Sequence, residues 1–441
     1  IDRDGIKTVK KTPICVWLLP QVLTDQDKMA VYTRKLLAIL VVLSSRVLSF
    51  QIPTHQRQGI VTSRLFSQTS ALDDTVVTKD KKEFLTGDLD DFWDWKNDWK
   101  IHFVRKSSSV GQDKNINILF LPGFGVGTFH FDRNLPDLAD QGHTTWAIDL
   151  LGQGQSWPQT DESEEGLTYS VDMWTDQIID FIDEVIQSPV NLCGNSLGGL
   201  IGTIVAAKRP DLVQSLTLLN ATPFWAFLPV KGSMPGWVEK LLPWDGELPA
   251  PGPLYKFGSF YFDNLRSSKT VKSMLGLVYH SKENLSDDLV ENIIAATNSG
   301  RGHAAFTSIL FARKPSISFE EALSSLKCPV CLMYGKNDPW VTPFWGHKVK
   351  SMLKSQSTYF EISSAGHCPH HEAPTVVNNL IDNFVVQVKE RGAEALLEWP
   401  EAQSLQGVTV EGLSGVEMSV EVVDEKPRSF MEFATDKFGP N

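Results

Sequence analysis

The pentapeptide Gly-Asn-Ser-Leu-Gly at residues 194–198 constrains the fold of this 441-residue chain more than any other segment. An apolar run at residues 190–193 precedes it, and a stretch rich in small side chains at residues 200–208 follows it. A strand, then G-x-S-x-G, then a helix is typical of a sharp turn that exposes a serine hydroxyl above the end of a sheet. Glycines flank the serine because a side chain there would collide with the neighbouring strand or helix. The pattern predicts Ser196 to be a nucleophile.

A carboxylate and a histidine that would activate this serine occur later in the chain. A serine hydroxyl is a weak nucleophile and needs an imidazole that a carboxylate orients, and in this architecture the acid precedes the histidine. Asp338 follows a predicted buried strand at residues 329–334, and His367 follows another at residues 358–362. Either residue alone would be interpreted as an ordinary loop residue, but the order and the equivalent strand ends predict a catalytic triad with the serine. Asn220 also ends a predicted strand, but an amide cannot stabilise an imidazolium as a carboxylate does.

Two backbone N–H groups are predicted to form an oxyanion hole. Residues 118–121 are typical of a strand, and the glycine-rich loop at residues 122–127 follows them. One donor is expected from Leu197, directly after the nucleophile, and the other from Phe124 in this loop. No Lys-Ser/Thr pair follows the loop and the dinucleotide spacing is absent, so a phosphate-binding loop is excluded.

The remaining pattern alternates strands and helices. Further strands are predicted at residues 101–104, 145–148, 190–193 and 215–219. Apolar side chains from Val171 to Val185 recur at helical spacing, which predicts an amphipathic helix. This alternation is typical of an α/β fold with a mostly parallel, doubly wound sheet and helices on both faces. Asp149 is predicted to brace the loop at residues 152–154 and is given no catalytic role.

Six segments together carry a resemblance to a known family. They are residues 121–128, 146–154, 194–199, 219–225, 334–341 and 365–370. With these motifs the chain resembles the α/β-hydrolases, and among them the pheophytinase branch, plastid esterases that remove phytol from chlorophyll pigments. The resemblance spans residues 92–388. Many relatives have His-Gly where this chain has Pro122-Gly123; because the hole uses backbone donors, the departure leaves the expected mechanism unchanged.

The resemblance implies an inserted helical cap at about residues 221–312, which is rich in aromatic residues and proline. Many of these aromatic side chains are expected to pack within the cap itself. Others, with Phe224 and Trp225 as the candidates, are expected to bind the substrate, a phytylated tetrapyrrole. An apolar pocket wall selects an apolar substrate. No cofactor or metal is implied for the reaction.

Composition narrows the function further. The formal net charge of −12 disfavours a nucleic-acid partner. The five cysteines are an odd number, which indicates reduced thiols and not a disulfide framework. Cys328 and Cys331 are expected to be core residues, and His370 and His371 lack a complete set of metal ligands.

Several segments are predicted outside the domain at residues 92–388. No methionine occurs before Met29, so residues 1–28 are expected to be translated upstream sequence that the natural protein lacks. Residues 29–49 are typical of a signal peptide, residues 50–72 of a transit peptide, and residues 73–91 of a linker. This two-part address predicts a plastid location, with peripheral association with the thylakoid because the expected substrate is embedded in that membrane. Residues 389–441 are acidic and are expected to form a solvated tail or a small hairpin.

Three other functions remain open from the sequence. Carbon–carbon bond hydrolases of this fold also use a Gly-Asn-Ser turn, and a general lipid or carboxyl esterase would use the same triad. A non-catalytic protein that binds a small molecule on this scaffold can retain all three residues. The sequence also leaves open whether chlorophyll or pheophytin is preferred.

Overall fold

The computed structural model describes residues 87–96, 99–107, 114–160, 167, 169–221, 262, 266–297, 305, 315–392, 409–411 and 417–422. All of them belong to one of the two units into which the chain divides, Val61–Leu228 with Pro243–Asn441; the other unit is Ile1–Ile60 with Pro229–Leu242. The predicted upstream, signal and transit segments lie outside the described residues.

One sheet organises the described part of the chain, and its strands are named in chain order. They are β1 (Leu89–Trp95), β2 (Trp99–Lys106), β3 (Asn117–Leu121), β4 (Thr144–Ile148), β5 (Trp157–Pro158), β6 (Val190–Asn195), β7 (Val213–Leu219), β8 (Val330–Gly335), β9 (Ser357–Ile362), β10 (Thr409–Glu411) and β11 (Glu417–Val422). Their spatial order is β1-β2-β4-β3-β6-β7-β8-β9-β11-β10, with β5 paired to β2.

The centre of this sheet is parallel and its edges are antiparallel. The six strands from β4 through β3, β6, β7 and β8 to β9 pair in parallel. In contrast, β1, β2 and β5 on one side and β11 and β10 on the other pair antiparallel. The predicted mostly parallel, doubly wound sheet is confirmed. Because parallel strands end at one edge of the sheet, the loops after β3, β6, β7, β8 and β9 meet there.

Helices cover both faces. They are α1 (Leu135–Asp140), α2 (Val171–Phe181), α3 (Leu197–Lys208), α4 (Ser268–Val278), α5 (Asp287–Ala296), α6 (Phe319–Ser325), α7 (Pro343–Leu353), α8 (Pro369–Glu372) and α9 (Pro374–Arg391). A π-helical turn, Ile182–Ile186, continues α2, and a 3-10 turn, Thr128–Phe131, follows the glycine-rich loop. None of the helices in the described ranges combines the length and the apolarity that crossing a bilayer requires.

Two clusters of buried side chains hold the helices against the sheet. Alternate residues of a strand point to opposite faces, so Leu119 and Leu121 of β3 join one cluster while Ile118 and Phe120 join the other. The first cluster contains side chains of α2, α3, α6 and α7, and the second contains those of α1 and α9. Every residue of β6 and β8 is buried. Both strands are therefore covered on both faces, as is usual for the central strands of a parallel sheet.

The sheet extends beyond the domain limits of residues 92–388 in both directions. A strand from Leu89 to Trp95 precedes the predicted first strand and forms a hairpin with it, with Phe92 opposite His102. Its acidic residues obscure its alternation in the sequence. At the other end, α9 continues to Arg391. The hairpin of β10 and β11, one of the two forms expected for this tail, adds to β9 by pairing Val420 with Ile362 and so belongs to the sheet.

The predicted cap lies between β7 and β8. Its described part contains the helices α4 and α5. A serine directly precedes each helix, Ser267 before α4 and Ser286 before α5, and its hydroxyl accepts a hydrogen bond from a backbone N–H of the first turn. Phe224 and Trp225 lie outside the described residues.

Candidate active site

Ser196 occupies a strained turn between β6 and α3. Its backbone angles are φ 51° and ψ −113°, a conformation that side-chain-bearing residues rarely adopt and that costs about 1–3 kcal/mol. Its N–H donates to the carbonyl of Leu219 at 3.1 Å, which fixes the turn against the end of β7. A Cβ atom on Gly194 would overlap the backbone of Gly198, and one on Gly198 would overlap the carbonyl of Leu121. The predicted need for glycine on both sides of the serine is confirmed.

Asp338 lies three residues beyond β8 and is completely buried. Its Oδ1 accepts hydrogen bonds from the backbone N–H groups of Trp340 at 2.7 Å and Val341 at 3.0 Å. Its Oδ2 lies 2.7 Å from Nδ1 of His367 and accepts from Nδ2 of Asn220 at 2.8 Å. All the partners of this carboxylate are therefore placed by the loop after β8 and by the ends of the two strands beside it.

These contacts keep Asp338 ionised despite its burial. Burial raises the pKa of the Asp338 carboxyl, but the charge and hydrogen bond of His367 and the N–H groups of Trp340 and Val341 outweigh it, so the pKa lies below its usual value. An ionised carboxylate against Nδ1 fixes the imidazole tautomer that leaves Nε2 free to accept a proton.

His367 is held through its backbone as well as through its ring. Its N–H donates to the carbonyl of Val278 at the end of α4, at 2.8 Å. Its own carbonyl accepts from Nδ2 of Asn195, the residue before Ser196, at 3.0 Å. The structure thus places the three predicted triad residues at the ends of β6, β8 and β9, with His367 bonded both to Asp338 and to the serine turn.

Two asparagines support this arrangement, and sequence reasoning missed both roles. Asn195 bridges the carbonyls of Leu219 and His367, each at 3.0 Å. Asn220 donates to Asp338 and accepts from the N–H of Gly335 at 2.9 Å. The sequence had excluded Asn220 as the acid, but its amide is a direct partner of that acid. A buried amide at the end of each of two neighbouring strands was the available signal.

The glycine-rich loop lies against the serine turn. A Cβ atom on Gly123 would lie 3.0 Å from Oδ1 of Asn195 and 3.5 Å from Cβ of Ser196. Gln153 fixes the loop, because its Oε1 accepts from the N–H of Gly125 at 2.6 Å. Phe124 lies between these two glycines and is half-buried.

Leu197 is buried as the first residue of α3. The N–H groups in the first turn of a helix have no partner within the helix, and the helix dipole makes that end favourable for negative charge. Leu197 thus directly follows Ser196, and Phe124 follows Gly123, which lies against the same turn.

Asp149 braces the loops behind this site, as predicted. Its carboxylate accepts from the N–H of Thr128 at 2.6 Å and from the N–H of Gln155 at 2.8 Å, and it lies 2.9 Å from Nδ1 of His102. It connects the segment after the glycine-rich loop to the loop after β4.

Three histidines and a tyrosine form a buried cluster beside the histidine loop. Nε2 of His130 lies 2.8 Å from the hydroxyl of Tyr279, and its Nδ1 lies 3.2 Å from Nε2 of His370. The rings of His130 and His371 stack with their centroids 5.0 Å apart. Burial, together with the neighbouring histidines, lowers the pKa of His130 and His370 well below the usual value, and burial lowers that of His371 to about 3. Within the described ranges no group of His, Cys, Asp or Glu is arranged to hold a metal ion.

This cluster predicts a specific acid sensitivity. The pKa of His371 is about 3 in the folded state and about 6.5 in an unfolded chain. As the pH falls, the unfolded state therefore takes up the proton first. The free energy of unfolding is unaffected by this residue above about pH 6.5 and decreases as the pH falls from there towards 3. At pH 5 the loss from this residue is about 2 kcal/mol. We expect the melting temperature of His371→Phe, which retains a ring of similar size, to decrease less between pH 7 and pH 5 than that of the parent. Equal decreases of the two melting temperatures in thermal unfolding would contradict this.

The described cysteines are consistent with a core role. Cys193, Cys328, Cys331 and Cys368 are buried and unpaired. Burial raises the pKa of the Cys193 and Cys328 thiols to about 12, so they remain protonated at neutral pH.

Comparison with known proteins shows which family this chain is similar to. A family model described as alpha/beta hydrolase fold matches residues 116–374. The chloroplastic pheophytinase of Arabidopsis thaliana is 38% identical over 331 residues, which cover 69% of this chain and 67% of that protein. The (lyso)-N-acylphosphatidylethanolamine lipase of Homo sapiens is 24% identical and aligns with 63% of this chain and 81% of its own. Among solved structures, a bacterial membrane phospholipase A shares the fold with a TM-score of 0.51 and 22% identity, over 69% of this chain and 87% of that one.

Proposed function

This chain belongs to the α/β-hydrolase family, in its pheophytinase-like branch, and from that premise we propose that it is a serine carboxylic-ester hydrolase that removes phytol from pheophytin, chlorophyll or both. The observation that carries the proposal is the 2.7 Å contact between Asp338 and His367, tied through Asn195 to the turn that holds Ser196. The relative's identity as a chloroplastic pheophytinase supplies the substrate class.

The proposed mechanism uses an acyl-enzyme. Nε2 of His367 takes the proton of Ser196 as the hydroxyl oxygen bonds to the ester carbonyl carbon, and Asp338 stabilises the imidazolium. The N–H groups of Phe124 and Leu197 bind the oxyanion, and losing one such donor costs about 10²–10³ in rate. The imidazolium then returns its proton to phytol as the ester C–O bond breaks. Water, deprotonated by the same imidazole, releases the tetrapyrrole acid and restores the serine. The chemistry needs no cofactor.

An exposed tryptophan adjoins this centre and extends the proposal to substrate binding. The side chain of Trp340 is 49% exposed, and its ring centroid lies 6.1 Å from that of His367. Large exposed apolar side chains beside a reacting centre are suited to an apolar substrate. We assign Trp340 to the pocket wall, together with Phe224 and Trp225 of the cap. A phytyl chain of about twenty carbons gains about 0.8 kcal/mol for each CH₂ that is buried.

We expect Trp340→Ala to raise KM for pheophytin by about tenfold, because roughly half of a tryptophan surface would no longer cover the substrate. Its kcat for p-nitrophenyl acetate, which is too small to need this wall, should remain near that of the parent. Phe92→Ala is the matched control, since Phe92 is also exposed but lies on β1. An unchanged KM for pheophytin would remove Trp340 from the pocket.

The central experiment presents purified protein with pheophytin and chlorophyll in parallel and identifies the released acids. Pheophorbide or chlorophyllide together with phytol supports the proposal and decides the pigment preference. Turnover of a ring-cleavage product would favour a carbon–carbon bond hydrolase, and preference for short-chain esters would favour a general esterase. Pigment binding without turnover of any of these substrates would favour a non-catalytic binding protein.

We also propose a plastid location, supported by the chloroplastic relative and by the composition of residues 29–72. In this proposal residues 29–49 are the signal peptide, residues 50–72 the transit segment, and the hydrolase domain associates peripherally with the thylakoid. Fusion of residues 29–91 to a fluorescent protein is expected to bring it into plastids of an alga with additional plastid membranes. Secretion of the fusion would contradict the two-part address.

A further inference from the structure

Glu372 is a buried carboxylate that the proposed mechanism does not use. It ends the short helix α8, five residues after His367, and is completely buried. Its Oε1 accepts from the N–H of Gly366 at 2.8 Å. Its Oε2 accepts from the N–H of His280 at 2.8 Å and from that of Ser281 at 3.2 Å. One oxygen therefore holds the histidine loop, and the other holds the segment that follows the cap helix α4.

The same two segments meet at a second point. The N–H of His367 donates to the carbonyl of Val278, the last residue of α4. Gly366 permits this approach, because a Cβ atom there would overlap that carbonyl and would lie 2.9 Å from the nitrogen of His280. The backbone of His367 is thus fixed on one side by the cap and on the other by Asn195. The end of α4 is therefore one of the contacts that hold the backbone of His367.

We propose that Glu372 is a positioning residue that couples the cap to the histidine of the triad by bridging Gly366 to His280 and Ser281. The proposal rests on the proposed function of Ser196 and His367. It assigns Glu372 no contact with substrate. Its carboxylate acts by holding two backbone segments in register, so that the end of the cap helix α4 and the loop of the general base keep fixed relative positions.

The surroundings of Glu372 bring the titration of its carboxyl close to neutral pH. Burial raises the pKa of Glu372 to about 7, against the N–H groups of Gly366, Ser281, His280 and Cys368, which lower it. Four neighbouring groups stay neutral near pH 7, because burial raises the pKa of Tyr279 and Cys368 well above their usual values and lowers that of His370 and His371. The guanidinium of Arg133 donates to the carbonyl of His371 at 2.9 Å. Loss of the Glu372 charge would replace an acceptor by a hydroxyl donor facing N–H groups.

The test measures how fast a fluorophosphonate labels Ser196 in the full chain, from pH 6 to pH 9. The variants are Glu372→Gln and Glu372→Asp, with Glu361→Gln as the matched control. Glu361 is likewise buried, but it lies on β9 and pairs with His347 at 3.0 Å. Proton NMR of the hydrogen bond between Asp338 and His367 accompanies the labelling, because that signal reports the imidazole position without substrate.

At pH 8 we expect Glu372→Gln to lower the labelling rate by about tenfold or more, since small misplacements of a catalytic group cost this much. The control should stay within about twofold of the parent, and Glu372→Asp should recover part of the rate because it retains the charge. The difference between parent and Glu372→Gln should shrink as the pH falls through about 7, because a protonated glutamate resembles glutamine. The NMR signal should shift in Glu372→Gln and not in the control.

Equal labelling of parent and Glu372→Gln at pH 8, or a difference that is the same at every pH, would overturn the proposal. If Glu372→Gln does not fold, Glu372→Asp takes its place at pH 8, where the shorter side chain cannot reach both segments and a parent-like rate and NMR signal count against the coupling. Labelling requires no pigment. A parent that labels normally but does not release phytol would therefore overturn the substrate assignment alone, whereas a parent that does not label would overturn the role of Ser196 and this inference with it.

Discussion

Ser196→Ala is expected to lower kcat for phytyl-ester hydrolysis by about 10⁵–10⁶-fold, the scale seen when a triad nucleophile is removed. Alanine keeps the Cβ atom and the backbone of the turn, including the hydrogen bond from residue 196 to Leu219. It removes only the oxygen that would bond to the ester carbonyl. Pigment binding should therefore be largely retained, and both quantities are measured by pigment turnover and by equilibrium binding to the same preparation.

Ser364→Ala is the matched control for this substitution. Ser364 also has a positive φ, 56° against 51° for Ser196, so alanine is placed at a positive φ in both variants. Activity within about twofold of the parent is expected for this control, because most substitutions outside the core and the active site have small effects. Retained turnover in Ser196→Ala would falsify the assignment of the nucleophile, and loss of pigment binding would show that the hydroxyl has a role in recognition.

Asp338→Asn is expected to lower kcat by about 10⁴-fold through the wrong histidine tautomer. The N–H groups of Trp340 and Val341 require an acceptor, so the amide oxygen would take the place of Oδ1. The NH₂ group would then face Nδ1 of His367 and Nδ2 of Asn220, where Oδ2 now accepts. The imidazole could meet this donor only by carrying its proton on Nε2, and it could not then take a proton from the serine.

Asp382→Asn is the control for Asp338→Asn. It shows whether the loss of an Asp–His pair elsewhere in the protein also lowers kcat. Asp382 is on the helix α9, and its carboxylate lies 2.6 Å from Nε2 of His143. We expect this variant to be less stable to heat but to keep its kcat. Steady-state kinetics on both variants, with unfolding temperatures measured in parallel, make the comparison. A fall of less than about tenfold in Asp338→Asn would contradict the predicted role of the acid.

Much of the fold followed from local pattern. The strands β6, β7, β8 and β9 lie within two residues of their predicted limits, because each is a short, mostly buried segment with several large apolar side chains. In contrast, β1 was missed since its three aspartates interrupt the apolar run, although its two tryptophans are buried. The addition of β11 to the sheet edge was not predictable either, because strand pairing over such a sequence distance leaves no local signature.

The sequence by itself determined which residue types stand at the carboxyl ends of the central strands, and hence the candidates Ser196, Asp338 and His367. Only the tertiary structure decided what each of them touches. The donation by Asn220 to the acid, the bridge from Asn195 to the histidine loop and the hold of Glu372 on the cap join segments that are 118, 172 and 92 residues apart. Periodicity fixes which face of a strand a side chain occupies, but hydrogen-bond partners depend on how distant segments pack, and that packing is a property of the whole fold.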